Sequence, residues 1–183
     1  MNGRTDNKCQ SWFQTHSGIR FNPRLATGRD IHVEDIAHAL SNYCRFGGHT
    51  KHFYCVAQHS CLVHDNMPDQ RVLRLQALLH DATEAYLGDV VKPLKMVLAD
   101  YRRIERRLER IIMKRFGLPS SLLPQVKAAD LTALATEKRD LIGGGPVWTH
   151  TLGVTPWPET VVPWSSAVAK EQFMYRYRIL NAE

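Results

Sequence analysis

The sequence predicts an all-α protein. Apolar residues recur at three- and four-residue spacing over much of the chain, and no convincing alternation of apolar and polar residues indicates a strand. Glycine and proline interrupt this spacing at several points and divide it into about six helices. We expect one domain over residues 1–183, because 44% of the 183 residues are hydrophobic, which suffices for a single core.

The helices follow an irregular amino-terminal segment. Residues 1–30 carry turn-forming residues without a sustained period, and their aromatic and aliphatic side chains are expected to cover one side of the core. Helix ends are predicted from the apolar spacing and from the glycines and prolines that begin or end helices. The helices are predicted over residues 33–43, 53–64, 70–86, 93–116, 124–142 and 165–180.

The segment before the last predicted helix differs in composition from the rest. Residues 147–164 combine Trp148 with the pairs Trp157-Pro158 and Pro163-Trp164. Proline interrupts regular structure, and tryptophan favours burial. We therefore expect a packed loop here that serves as a partial lid.

Composition narrows the class of protein. No run approaches the roughly 18–20 apolar residues of a membrane span, and the first ten residues lack a secretory apolar core, so we expect a cytoplasmic protein without membrane contact. The cysteines contain no C-x-x-C pair, which argues against a structural zinc site. We expect reduced, small buried side chains at Cys9, Cys44, Cys55 and Cys61.

The net charge of +6 favours anionic partners such as phosphates. Many of the cations lie in residues 101–110, where arginine and glutamate stand at the spacing of a solvated helix face. No helix-turn-helix or aromatic RNA-binding pattern accompanies this segment. Nucleic-acid binding is therefore the weaker interpretation of the charge.

The stretch that carries most chemical information is residues 78–84. His80 and Asp81 stand at the polar end of an apolar helix, where an unpaired buried carboxylate is costly. Imidazole and carboxylate together suit a divalent transition metal. Further candidate ligands are His59, inside another apolar helix, and Asp130, among small and apolar residues; each alone also suits a structural role.

The order of these residues resembles the HD-domain superfamily of metal-dependent phosphohydrolases. Further segments are similar to YfbR-like 5′-deoxynucleotidases and to phage dATP triphosphohydrolases, and the similarity covers residues 30–142. The resemblance implies an HD-domain helical bundle that assembles as a homodimer or a larger homo-oligomer. The similar segments are residues 80–95, Gln58-His59-Ser60, Lys127-Ala128-Ala129-Asp130 and Arg45-Phe46.

The resemblance also implies roles for individual residues. Glu84 would handle the attacking water, and Asp89 would lie near the sugar or the water. Glu84 lies four residues after His80, so a continuous helix would place both on one face. The metal ligands would be His59, His80, Asp81 and Asp130, and the substrate would be bound by Arg45, Phe46, Gly47, Lys95 and Lys127.

The sequence therefore predicts a metal-dependent phosphohydrolase of 2′-deoxynucleotides. Mn²⁺, Co²⁺, Fe²⁺ or Zn²⁺ suits two imidazoles and two carboxylates, and Mg²⁺ could assist on distal phosphates. Gly47 resembles the triphosphohydrolases more than the nucleotidases, which slightly favours a dATP-type triphosphate substrate over a monophosphate. The alternatives are a 5′-deoxynucleotidase, an HD enzyme of alarmones or cyclic nucleotides, and a non-catalytic nucleotide- or nucleic-acid-binding module.

Overall fold

The computed structural model describes residues 11–182, and most of them are helical. The all-α prediction is confirmed. Short 3₁₀ segments lie at Gly28–Asp30, Arg45–Gly48 and Thr149–Thr151, and a π-helical turn follows α7 at Lys138–Ile142. The α-helices are α1 (Val33–Asn42), α2 (Val56–Asp65), α3 (Arg71–Leu79), α4 (Glu84–Leu87), α5 (Lys92–Val97), α6 (Ala99–Arg115), α7 (Pro124–Glu137) and α8 (Ser166–Leu180).

A small hairpin lies in the segment that was predicted to be irregular. Strands β1 (Phe13–Gln14) and β2 (Arg20–Phe21) pair antiparallel, with Phe13 opposite Phe21. Two-residue strands are too short to show an alternating pattern. Phe21 is fully buried and stacks on Tyr86 at 4.2 Å between ring centroids, so the hairpin covers one side of the core as expected, although Phe13 stays 39% exposed.

Two of the predicted helices are each divided in the structure. The helix predicted over 70–86 becomes α3 and α4, because the backbone between them tightens: Ala82 N donates to Leu79 O, and Glu84 N donates to Asp81 O. Such bonds to the third preceding residue are those of a 3₁₀ turn. The helix predicted over 93–116 is interrupted at Leu98, where the backbone leaves helical dihedrals (φ −97°, ψ 82°).

Helix α2 lies at the centre of the fold. It contacts α1, α3, α7 and α8, and eight of its ten residues are buried as a result. Its buried residues include the polar Gln58 and His59, whose side chains find hydrogen-bond partners inside the protein. None of the described residues forms a helix that is long and apolar enough to cross a membrane.

The loop over residues 147–164 is attached to the rest of the protein by hydrogen bonds, although none of its residues is buried. Gln58 Nε2 donates to Val162 O at 2.8 Å, and Gln58 Oε1 accepts from Trp164 N at 2.8 Å. The guanidinium of Arg139 donates to Trp157 O at 2.6 Å. These bonds attach the loop to α2 and to the turn that follows α7.

The cysteine prediction is partly wrong. Cys55 and Cys61 are buried free thiols, as expected, whereas Cys44 is a free thiol that is exposed. Cys44 continues an exposed stretch, Asn42 and Tyr43, at the end of α1. Cys9 lies outside the described residues.

A buried glutamine fixes the connection between α6 and α7. Gln76 Nε2 donates to Pro119 O at 3.3 Å and to Ser121 O at 3.1 Å, and its Oε1 accepts from Leu123 N at 2.8 Å. No helix or sheet supplies partners for the backbone groups of this irregular connection, and the buried side chain of Gln76 supplies them instead. Gln76 thereby positions the start of α7, the helix that carries Asp130.

Replacing this glutamine with leucine should destabilise the protein. Gln76→Leu leaves three backbone groups without their partner, and we expect the free energy of unfolding to fall by about 3 kcal/mol, at roughly 1 kcal/mol per group. Urea denaturation would measure the change. Gln125→Leu, at an exposed position of α7, is the matched control. Equal unfolding midpoints for the two variants would contradict the role assigned to Gln76.

Candidate functional site

Three of the four predicted metal ligands, His59, His80 and Asp130, form one cluster, and Asp81 lies beside its two histidines. His59 comes from α2, Asp130 from α7, and His80 and Asp81 from the tight turn after α3. His59 Nε2 lies 3.2 Å from His80 Nε2 and 3.2 Å from Asp130 Oδ1. Asp81 Oδ2 lies 3.3 Å from His80 Nε2 and 3.6 Å from His59 Nε2.

These distances suit a metal site. The ligand atoms of His59, His80 and Asp130 all lie within 4.8 Å of one another. Nitrogen and oxygen ligands bind zinc at about 2.0–2.2 Å, so two adjacent ligands around one ion are roughly 3–3.5 Å apart. The cluster could therefore hold a metal ion.

Hydrogen bonds on the far sides of the imidazoles support this interpretation. His59 Nδ1 donates to Glu137 Oε1 at 2.6 Å, and His80 Nδ1 donates to Ala77 O at 2.7 Å. A carboxylate and a carbonyl can only accept hydrogen bonds, so in each neutral imidazole the single N–H hydrogen lies on Nδ1. The lone pairs of both Nε2 atoms then point into the cluster, which is how metal-binding histidines are oriented.

The electrostatics of the cluster favour positive charge at its centre. Burial lowers the pKa of His80, but the carboxylates of Asp81 and Asp130 outweigh this effect and hold the pKa well above its ordinary value. Burial raises the pKa of Asp81, but His80 and His59 outweigh it and the pKa falls below its usual range. The negative charge of the two carboxylates must be balanced by positive charge nearby. Without a bound cation, protons on the imidazoles would supply it.

Glu137 is a site residue that the sequence analysis missed. Its fully buried carboxylate accepts from Arg45 Nη2 at 3.1 Å, from Tyr54 OH at 2.8 Å and from His59 Nδ1. Burial raises its pKa, but Arg45 and His59 outweigh burial, and the net pKa is lowered, so the group stays ionised. The sequence offered one indication of its role: Glu137 follows Asp130 by seven residues, or two helical turns, which places both on the same face of the helix.

A cleft of about 640 Å³ opens over the cluster. Gly47 and Lys127 are not among its lining residues, and Lys127 is exposed on α7. A Cβ added to Gly47 would lie 3.8 Å from Val91, a residue of the cleft wall. The other predicted site residues that line the cleft are Arg45, Phe46, Asp81, Glu84, Asp89, Lys95 and Asp130.

A second depression, of about 690 Å³, lies apart from the cluster at Thr27, Gly28, Arg29 and Arg115. It is the more open of the two and is lined by no imidazole or carboxylate. A site for chemistry needs convergent polar groups as well as volume. We therefore place the functional site in the cleft over the histidines.

Glu84 lines this cleft, and one of its carboxylate oxygens has no hydrogen-bond partner in the part of the chain that the structure describes. Its Oε2 is buried without a hydrogen-bond partner among the described residues, and its Oε1 lies 3.8 Å from Lys95 Nζ. Burial raises the pKa of Glu84 well above its ordinary value, and the charges of Asp81 and Asp89 add to the effect. Lys95 Nζ also donates to Glu105 Oε1 at 2.6 Å, which fixes the ammonium beside Glu84.

The other wall of the cleft is aromatic. Phe46 has φ 56°, and within residues 11–182 it is the only residue other than glycine with a positive φ. This backbone conformation is strained for a bulky residue and is often retained at functional sites. The Phe46 ring lies 5.7 Å from that of Trp148, which comes with His150 from the 147–164 loop. The sequence predicted a lid but not that these two residues line the cleft.

Comparison with known proteins places this helical chain, with its buried His–Asp cluster, in a family. No family model matches it. It is 42% identical over 176 residues to the uncharacterized protein YfdR of Escherichia coli K12, covering 93% of this chain and 96% of that protein. It is 37% identical over 147 residues to the uncharacterized protein RCAP_rcc00048 of Rhodobacter capsulatus, covering 73% and 74%. The chain belongs to the same family as YfdR.

Neutralising Glu137 should weaken metal binding. Glu137→Gln removes the negative charge that holds His59 in place and that balances Arg45, and we expect a 10- to 100-fold loss of affinity for Co²⁺. Isothermal titration calorimetry measures this loss. Glu171→Gln, at an exposed position of α8, is the control. A Glu137→Gln affinity equal to that of the control would contradict the role assigned to this carboxylate.

Proposed function

We propose that the chain is a divalent-metal-dependent phosphohydrolase of the HD-domain superfamily that acts on 2′-deoxynucleotides. The proposal favours a dATP-type triphosphate substrate, with a 5′-deoxynucleotidase as its alternative. The observation that supports it most is the pairing of the His–Asp cluster with Glu84, which lines the cleft over the cluster and whose buried Oε2 has no hydrogen-bond partner among the described residues. A metal site and a nearby buried acid are the parts that metal-assisted hydrolysis needs.

The metal proposed for the cluster is Mn²⁺, Co²⁺, Fe²⁺ or Zn²⁺. Two imidazoles and two carboxylates form a mixed nitrogen and oxygen ligand set that suits these ions better than Mg²⁺, which could instead assist on distal phosphates. When bound, such an ion lowers the pKa of a water and offsets charge on a phosphate oxygen. The proposed ligands are His59, His80, Asp81 and Asp130.

The remaining chemistry belongs to side chains of the cleft. Glu84 orients the attacking water and takes its proton, a role that suits a buried carboxylate with a free oxygen. Arg45 is held by Glu137 and lies 3.4 Å from Asp81 Oδ2, so its guanidinium binds phosphate from a fixed position. Lys95 adds positive charge beside Glu84, and Asp89 lies near the sugar or the water.

The aromatic wall of the cleft would bind the nucleobase of the substrate. The volume of the cleft is within the range of small-molecule sites, roughly 300–1,000 Å³. Phe46 and Trp148 offer flat apolar surfaces against which a nucleobase can stack. Gly47 lies close to the wall at Val91 and would bring backbone near the sugar, and exposed Lys127, three residues before Asp130, would reach distal phosphates.

The proposal includes a cytoplasmic homodimer or larger homo-oligomer. Helix α5 has no buried residue and borders the cleft through Lys92, Pro93 and Lys95. Met96 is 63% and Val97 75% exposed on the same helix, an apolar surface that a second copy would cover. Sedimentation of the purified chain as a monomer would contradict this part of the proposal.

Product analysis tests the proposed reaction. The protein is incubated with Mn²⁺ or Co²⁺ and the mono- and triphosphates of deoxyadenosine and adenosine. We expect tripolyphosphate from the deoxynucleoside triphosphate; inorganic phosphate from the monophosphate would instead favour the nucleotidase. No product from any nucleotide, together with DNA binding that weakens with salt, would contradict the proposal and favour a binding module that uses the exposed Arg103, Arg106 and Arg110 of α6.

Glu84→Gln separates chemistry from binding. The amide keeps the size of the side chain but cannot take a proton, and we expect the turnover rate to fall by about 10²- to 10⁴-fold. Affinities for the metal and the nucleotide should stay near those of the unaltered protein, as calorimetry can show. Glu171→Gln again serves as the control. Turnover within a few-fold of the control would remove Glu84 from the mechanism.

A further inference from the structure

Cys44 and Cys55 face each other across a short antiparallel bridge. Both residues have extended backbone, with φ −71° and ψ 129° at Cys44 and φ −111° and ψ 161° at Cys55. Cys44 directly precedes the Arg45–Gly48 turn, and Cys55 directly precedes α2. Both are free thiols in the structure.

The hydrogen bonds around the bridge define how the two cysteines are placed. Arg45 N donates to Tyr54 O at 2.9 Å, and Val56 N donates to Tyr43 O at 3.1 Å. These bonds flank the cysteine pair, so the cysteines occupy a non-hydrogen-bonded position of the antiparallel ladder. Residues in such a position have Cα atoms about 4.5 Å apart and side chains on the same face. That separation is within the roughly 4.4–6.8 Å that a disulfide requires.

The two thiols differ in access to solvent. Cys44 is exposed, whereas Cys55 is fully buried, and burial raises the pKa of the Cys55 thiol. A reagent in solution therefore meets Cys44 first. Cys55 is placed to react afterwards with Cys44 and with little else.

We propose that Cys44 and Cys55 are a site of reversible intramolecular disulfide formation, with a low-molecular-weight disulfide as the oxidant. The Cys44 thiolate attacks one sulfur of the oxidant, which breaks its S–S bond and releases one thiol. Cys55 then gives up its proton and attacks Cys44 Sγ, which releases the second thiol. Two protein S–H bonds are replaced by one S–S bond, and the oxidant is reduced to two thiols.

The disulfide would connect the two ends of a segment that contacts the candidate functional site. Residues 45–54 lie between the cysteines, and both ends of this segment reach Glu137: Arg45 through its guanidinium and Tyr54 through its hydroxyl. The turn inside the segment carries Phe46 and Gly47, both with positive φ. The proposal stands on this geometry and does not depend on the reaction proposed for the cleft.

Mass spectrometry after oxidation with glutathione disulfide tests the proposal. Trypsin releases Cys44 in peptide 30–45, but peptide 52–71 carries both Cys55 and Cys61. The full chain is therefore studied as the Cys61→Ala, Cys9→Ser double variant, which leaves Cys44 and Cys55 as its cysteines. We expect peptides 30–45 and 52–71 joined with the loss of two hydrogens, and separated again by dithiothreitol.

Cys55→Ser in the same background is the matched control. Serine keeps the size of the side chain and can begin α2, so the fold should persist. Because the resolving thiol is absent, Cys44 should accumulate as the mixed disulfide with glutathione. The proposal is overturned if the parent variant also stops at the mixed disulfide, or if its cross-link joins two chains instead of two peptides of one chain.

Discussion

The site depends on the orientation of two buried imidazoles. Glu137 and the Ala77 carbonyl each accept a hydrogen bond from an Nδ1 atom, so the lone pairs of both Nε2 atoms point toward each other. The two Nε2 atoms lie 3.2 Å apart. Lone pairs that face each other in a buried place are unfavourable unless a cation or protons lie between them. The carboxylates of Asp81 and Asp130 beside them increase that need for positive charge.

The fold supplies this arrangement through the packing of α2. Its position between α1, α3, α7 and α8 buries His59 completely and brings α3 and α7 to it from two sides. The 3₁₀ turn after α3 then adds His80 and Asp81, and Gln76 fixes the connection into α7. The same packing attaches the 147–164 loop, so that its aromatic residues close one side of the cleft.

Apolar spacing predicted the helices and marked His59, His80, Asp81 and Asp130 as polar residues in apolar surroundings, because both are local signals. Their assignment as a ligand set came from the resemblance to the HD-domain superfamily. Apolar spacing did not predict the break after Leu79, because the apolar residues of the sequence continue at helical spacing through the 3₁₀ turn. Glu137 was missed because its partners Arg45, Tyr54 and His59 are far away in the chain. The roles of Trp148 and the facing of Cys44 and Cys55 likewise depend on tertiary contacts that no spacing reveals.

A crystal structure of the protein grown with Zn²⁺, with anomalous diffraction recorded at the zinc edge, tests the central claim most directly. The account predicts one strong anomalous peak about 2.0–2.2 Å from His59 Nε2, His80 Nε2 and a carboxylate oxygen of Asp130. An empty cluster, with the two imidazoles hydrogen-bonded through a shared proton and zinc bound elsewhere, would contradict it.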